Sequence, residues 1–334
     1  MNAREAPLAE RAGAPDAADY DALVRGAGVY RTPSRIVVRT VGDDRVSFLH
    51  GMCSGDVKGA TAGTVIPALF LTEHAHLIAD FFAWVADDAI LLDIDSPLWM
   101  RAREHLERLL VADDVEFEES APLSVICVFG PRAADAIRAV AGEQAASLAE
   151  WRHLNLGDLV IGNVPRLGAG AFAVLAPSAN AARVSAQIAA ATPGAREVGE
   201  AAVETVRIEN GIVRAGIDTT ASTIALEARL EGAISFRKGC YVGQETIERA
   251  TAHGALKKRL FGLRFDGRRL PACGAEVMLA GKAVGRATSV ALSPRFGPIG
   301  LSILHHSAWN PGTRVEVEAS GGAITAQVSE IPFR

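Results

Sequence analysis

The chain has 334 residues, 49% of them hydrophobic and 22% charged, with a formal net charge of −5. That length allows two or three domains, with a core that needs no disulfide or metal staple. The acidic balance excludes a global basic field for nucleic acid, and no apolar run reaches the ~20 residues of a membrane-spanning helix.

Residues 1–23 are rich in Ala and Pro, lack the layout of a signal peptide, and read as a flexible tail. Arg35–Val41 alternates like a strand. Asp43 is a candidate cap for a short helix carrying Val46, Phe48 and Leu49. Strand-like runs follow at Thr64–Leu71, His76–Val85 and Ala89–Ile94. Ser96 then caps a predicted helix with Pro97 in its first turn, and Leu98, Ala102, Leu106 and Leu109 recur at helical spacing. Val115–Phe117 and Leu123–Phe129 read as strands, Gly130-Pro131 as a turn, and Ala133–Val140 as a helix. Ala171–Ala176 is a strand and Ser178–Ala191 a helix.

The apparent hairpins argue against a simple parallel sheet. They favour an α+β arrangement of ferredoxin-like units. From about Leu260 short strands alternate with Gly, Pro and Asn, which predicts a small C-terminal β-barrel. The expected division after the tail is a discontinuous α+β domain of residues 24–50 and 120–254. A second α+β domain covers 51–119, and the barrel covers 255–334.

The four cysteines, Cys53, Cys127, Cys240 and Cys273, are scattered and contain no CxxC. That spacing offers neither a zinc ribbon nor a disulfide framework, and a reducing cytoplasm suits it. Cys127, in SVICVFG, reads as a buried hydrophobe, and Cys53 and Cys273 are read the same way. Cys240 differs. It sits in RKGCYVGQE, between two glycines and just ahead of a helix predicted over Gln244–Ala252 and stopped by Gly254. The helix N-terminus and the cations Arg237 and Lys238 favour a thiolate there. One thiol does not hold a cluster, so no stably bound metal is expected. His253 is the nearest base candidate and His305-His306 a remote one, and no nucleophilic triad is evident.

The segment GAISFRKGCYVGQETIERATAHGALKKRL resembles the signature of the YgfZ family of folate-binding proteins. That family lies within the aminomethyltransferase (glycine-cleavage T-protein) superfamily. Its K-G-C-Y-x-G-Q-E hallmark is matched at Lys238, Gly239, Cys240, Tyr241, Gly243, Gln244 and Glu245. Phe48-Leu49-His50-Gly51 with Asp56-Val57 is similar to the family's F-L-Q-G-Q-x-T-N-D-V segment, with departures at His50, Met52 and Ser54-Gly55, and with Cys53 where Thr is usual. Arg207-Ile-Glu209-Asn-Gly211 with Gly216 and Asp218 resembles the superfamily's R-x-E-x-G…G-x-D stretch. Asp80 falls near an acidic folate contact of the aminomethyltransferases, where an Asp pair led by Gly is usual.

The resemblance implies a ring-like, folate-binding core and a protein that uses tetrahydrofolate to support assembly or repair of iron–sulfur enzymes. Cys240 would be the working thiol, with Lys238 assisting it. Asp80, Arg207, Glu209, Tyr241, Gln244 and Glu245 would serve the folate. Iron–sulfur proteins or cluster-assembly factors would be the partners. Residues 231–270 carry nine Lys/Arg against four acids, a patch able to receive an anionic folate tail. The alternative is a folate-dependent aminomethyl or methyl transferase; the resemblance in fold and acidic contacts suits it, while Cys240, which true aminomethyltransferases lack, and the lost Asp pair count against it. A third reading, an RNA- or protein-binding module around 249–269, lacks the aromatic interleaving of single-strand binders. No nucleic-acid or membrane partner is expected.

Overall fold

The computed structural model describes residues 14–119, 122–168, 170–253 and 256–334, without the side chain of His253. The first thirteen residues of the expected tail, the Gly254 helix stop and the His253 base candidate lie outside the described residues. The remainder of the expected tail is not a tail. Ala17–Arg25 forms helix α1, because Asp16 Oδ1 accepts the N–H groups of Ala18 and Asp19 at 3.0 Å each. Tyr20, Ala22 and Leu23 are buried on its inner face.

The chain continues through β1 (Ala27–Arg31), β2 (Arg35–Val41), α2 (Arg45–Met52), β3 (Thr64–Leu71), β4 (Leu77–Val85) and β5 (Ile90–Asp95). Next come α3 (Ser96–Leu109), β6 (Glu116–Glu118), β7 (Leu123–Phe129), α4 (Ala133–Ala146), β8 (Arg152–Leu156) and β9 (Leu159–Asn163). Then follow β10 (Phe172–Pro177), α5 (Ala181–Ala189), β11 (Ala195–Glu197), α6 (Glu200–Glu209) and α7 (Gln244–His253). Neither expected cap, Asp43 or Ser96, occupies the cap position, and the residues that do, Asp44 and Asp95, turn their side chains to other partners. Asp43 and Asp44, before α2, both pair with Asp114, through Asp43 N to Asp114 Oδ2 and Asp114 N to Asp44 Oδ2 at 2.9 Å each. Ser96 is the first residue inside α3, and Asp95 in the cap position accepts instead from Ser34 Oγ at 3.0 Å.

One eleven-stranded sheet carries the first 200 residues, in the order β11-β1-β7-β10-β9-β8-β3-β4-β5-β2-β6. Only the β1–β11 pairing is parallel. The two expected α+β units are thus halves of a single sheet, joined where Thr64 of β3 meets Arg152 of β8. β2, expected with the first unit, bonds to β5 and β6 of the second. Strand pairing is set by distant partners, which a local pattern does not reveal. On one half α2 and α3 cover Phe70, Phe81 and Leu92 with Phe48, Trp99 and Leu106. On the other, α4 and α5 cover Val128, Phe172 and Val174 with Ile137 and Ile188. Each such side chain removed from water contributes about 1.5–3 kcal/mol.

The C-terminal strands β12 (Lys258–Phe265), β13 (Ala275–Leu279), β14 (Lys282–Ser293), β15 (Gly297–His305), β16 (Arg314–Val317) and β17 (Ile324–Ser329) close a barrel in the order β12-β15-β14-β13-β16-β17. Helix α6 sits between sheet and barrel. Its Ile208 packs against Leu260, Ile299, Leu301 and Phe333 of the barrel side.

Candidate functional site

A cavity of about 190 Å³ opens between the sheet and α6, with Arg35, Asp80, Phe82, Asp95, Arg166 and Arg207 in its wall. Side chains two apart on a strand share a face, so β4 presents Asp80 and Phe82 together. Burial pushes the Asp80 carboxyl above its usual range, and nearby Arg35 opposes that rise. Arg35 and Arg166 converge on Asp93, whose side chain is wholly buried in β5. Arg35 Nε donates to Asp93 Oδ1 at 2.5 Å, and Arg166 pairs with the other oxygen. The Arg166 guanidinium also lies 4.2 Å from the Phe82 ring centroid. Burial pulls down on both guanidiniums, and the Asp80 charge works against it in each. The wall therefore offers a carboxyl able to hold or lose a proton, beside two fixed cations and an aromatic ring. Such a surface matches a planar polar heterocycle with donors and acceptors on its edge.

Arg207 lines this cavity, yet its donors are committed. It bonds Glu204 through Nε and Nη2, Asp218 Oδ2 at 2.8 Å, Ser289 Oγ at 2.6 Å and the Ile212 carbonyl. Glu209, proposed as a folate contact, is not in the cavity wall. Its Oε1 accepts from Tyr20 Oη at 2.8 Å and Ser293 Oγ at 2.5 Å, which ties α1 and the barrel to α6. Glu209 lies two positions beyond Arg207, and that step on a helix turns it to another face.

The 237–245 loop lies over the C-terminal end of α2. The Lys238 ammonium donates to the Cys53 carbonyl at 2.7 Å, the Gly55 carbonyl at 2.9 Å and the His50 carbonyl. All three of its protons are thereby used on the cation-favouring end of a helix. Its expected role of assisting Cys240 gives way to tethering the loop. Tyr241 is buried, lies 5.0 Å below the Lys238 cation, and has its hydroxyl pushed up to about 12 by burial. Val242 N bonds the Gly51 carbonyl at 3.2 Å. Gln244 opens α7 and ties it to the loop, its Oε1 accepting from Tyr241 N at 3.2 Å, while its Nε2 donates to Glu248 at 2.6 Å. Glu245 is exposed in the first turn of α7. Cys240 is exposed as well, whereas Cys53 and Cys127 are fully buried and Cys273 is half-buried. Burial pushes Cys53 up to about 11 and Cys127 up to about 12, so both stay inert thiols at neutral pH.

The structure thus divides the predicted residues. Asp80 and Arg207 share the cavity wall, while Lys238, Cys240, Tyr241, Gln244 and Glu245 belong to the loop and are absent from that wall. Arg35, Asp93 and Arg166 were missed by sequence reasoning. A charge inside the apolar run ILLDID was the available signal for Asp93. No local signal marked the arginines that meet it from 58 positions earlier and from beyond Pro165. Among the described residues, no group of three or more His, Cys, Asp or Glu is placed to hold a metal ion, and no helix is long and apolar enough to cross a membrane.

The mixed α/β sheet followed by a closed six-stranded barrel matches the fold of the glycine-cleavage T-proteins. The GCVT N-terminal domain model matches residues 10–238, and the glycine cleavage T-protein C-terminal barrel domain model matches residues 258–334. The chain belongs to this family. It is 30% identical over 316 residues to a chloroplastic protein of Arabidopsis thaliana named as a transferase, covering 89% of this chain and 68% of that one. It is 24% identical to an aminomethyltransferase of Bacillus subtilis, covering 94% and 90%. Glycine cleavage system aminomethyltransferase T from Bartonella henselae superposes with a TM-score of 0.84 at 21% identity, covering 95% of this chain and 88% of that one.

Proposed function

We propose that the protein binds a reduced folate in the Asp80 cavity and uses Cys240 to maintain iron–sulfur enzymes in the cytoplasm. The exposure of Cys240 carries this reading. It is exposed, where Cys53 and Cys127 are buried and Cys273 is half-buried, and it sits on a loop held by the Lys238 tether and by the Tyr241–Gln244 bond. A thiol presented in that way meets a molecule outside the chain. The surrounding residues also resemble the YgfZ signature. The cavity wall suits the other half of the proposal: Asp80 can pair with the pterin edge, while Arg35 and Arg166 keep the site polar.

Cys240→Ala is the test. It is expected to fold normally and to bind tetrahydrofolate with wild-type affinity, while failing to restore iron–sulfur enzyme activity in cells lacking the protein. Full rescue by this variant rejects the thiol role.

The second reading is a folate-dependent aminomethyl or methyl transferase. The near-complete overlap with bacterial aminomethyltransferases favours it. Incubation with tetrahydrofolate and an aminomethyl donor separates the two. Catalytic formation of methylenetetrahydrofolate by wild type and Cys240→Ala alike supports the transferase.

A further inference from the structure

The Asp80 cavity, at about 190 Å³, is smaller than the ~300 Å³ at which pockets for organic ligands begin. A second cavity of about 360 Å³ lies against it, between α6 and the barrel. The two share Glu200, Glu204 and Arg214 in their walls. A ligand that fills both has the ordinary room of a cofactor site, and a ligand confined to the first does not.

The shared residues are held unequally. Glu204 receives two short bonds from Arg207, at 2.8 and 2.5 Å, and Arg207 is itself locked to Asp218. Arg214 Nη1 meets Glu200 Oε1 at 3.5 Å, and about a quarter of each side chain is exposed. A long, partly solvated ion pair is weakly held, so this is the contact that gives. The Arg214 backbone, in contrast, is fixed. Its N–H donates to Asp218 Oδ2 at 2.8 Å, and its carbonyl accepts from Ile217 and Asp218. The side chain can therefore swing without disturbing the fold. The second cavity beyond it adds the Arg286 cation and the hydroxyls of Thr220, Thr288 and Ser289. Arg286 is already paired with Glu276 at 2.8 Å, which leaves Arg214 as the cation with the weaker hold.

We propose that Arg214 is a gate and a specificity residue. It leaves Glu200 when an elongated ligand spans both cavities, and it pairs instead with a carboxylate on the ligand's tail. The ligand class is a planar heterocyclic head joined to an acidic, peptide-like tail. This rests on the folate reading above, and it assigns the tail to Arg214.

The experiment is calorimetric titration of wild type, Arg214→Ala and Glu200→Gln with two probes: tetrahydrofolate, and 6-methyltetrahydropterin, which lacks the tail. Wild type is expected to bind tetrahydrofolate at least ten-fold more tightly than the pterin. Arg214→Ala is expected to lose about ten-fold in tetrahydrofolate affinity with pterin affinity unchanged, and Glu200→Gln to gain several-fold for tetrahydrofolate alone. Thermal unfolding of each variant checks that the fold is retained. Equal weakening of both probes by Arg214→Ala, or no weakening of either, overturns the gate and leaves the folate reading standing. Failure of wild type to bind either probe overturns the folate reading and the gate with it.

Discussion

Lys238 shows how much one side chain can do at a distance in sequence. Its ammonium closes the α2 end by donating to carbonyls 183–188 residues upstream. A hydrogen bond to a charged group contributes about 1.5–3 kcal/mol, and the buried carbonyls left behind add their own cost. Lys238→Met is therefore expected to destabilise the protein by about 2–4 kcal/mol, measured by urea denaturation at constant m-value. Asp80 is the titrating counterpart. Its folded-state pKa is raised by burial, so the folded state holds the proton more tightly than the unfolded chain. The sign follows from linkage: the contribution is fully present below the unfolded carboxylate pKa and is lost as pH rises through the raised folded value. Melting temperatures of wild type and Asp80→Asn, compared from acid to neutral pH, are expected to diverge across that window. Wild type loses stability relative to the variant as pH increases. Parallel profiles would show that the Asp80 carboxyl titrates normally.

At the scale of elements, the signature glycine Gly243 is explained by what it touches. Gly243 has φ +88°, and a Cβ there would stand 2.6 Å from the Thr72 carbonyl oxygen. Gly243→Ala therefore combines a left-handed backbone with a clash against main chain. A loss of about 2 kcal/mol or more is expected, with faster proteolysis of the 235–243 loop as the local readout. Elements with strong periodicity were legible before any coordinates: β2, β3 and β7 have the expected bounds, and α3 and the six barrel strands stand where the patterning put them. The hairpin β8–β9 went unread because its strands are five residues each and contain Asn and Gly. Helix α1 was hidden by an Ala/Pro-rich composition, and its Asp16 cap is recognised only in the fold. The site was half legible for a related reason. Motifs mark the loop and Asp80, but Asp93 becomes meaningful only when Arg35 and Arg166 reach it through the folded sheet. Likewise, Glu209 looked available because Tyr20 and Ser293 are 189 and 84 residues away.

Across the whole molecule, sheet and barrel are joined by polar contacts as well as by the Ile208 cluster. The Asp218 side chain is wholly buried. It accepts from Arg207 Nη1 and Arg214 N at 2.8 Å each, and from Thr288 and Ser289 hydroxyls at 2.6 Å each. The first two belong to α6 and the loop after it, the last two to β14 of the barrel. A buried carboxylate with four donors and a paired guanidinium is satisfied, and removing it leaves Arg207 paired with Glu204 alone and takes the acceptor from the Arg214 N–H and the Ser289 hydroxyl. Breaking such a pair costs about 3–5 kcal/mol. Asp218 is therefore expected to couple the unfolding of the two parts, because sheet and barrel each have their own apolar core and would melt apart with the junction loosened. Wild type is expected to show one calorimetric unfolding transition, with van't Hoff and calorimetric enthalpies in agreement. Asp218→Ala should lower the first transition and split the endotherm in two. Asp218→Asn keeps the hydroxyl acceptor but loses the charge, so its endotherm should fall between. A single, merely shifted transition in Asp218→Ala would mean that apolar packing around Ile208 alone couples the two parts.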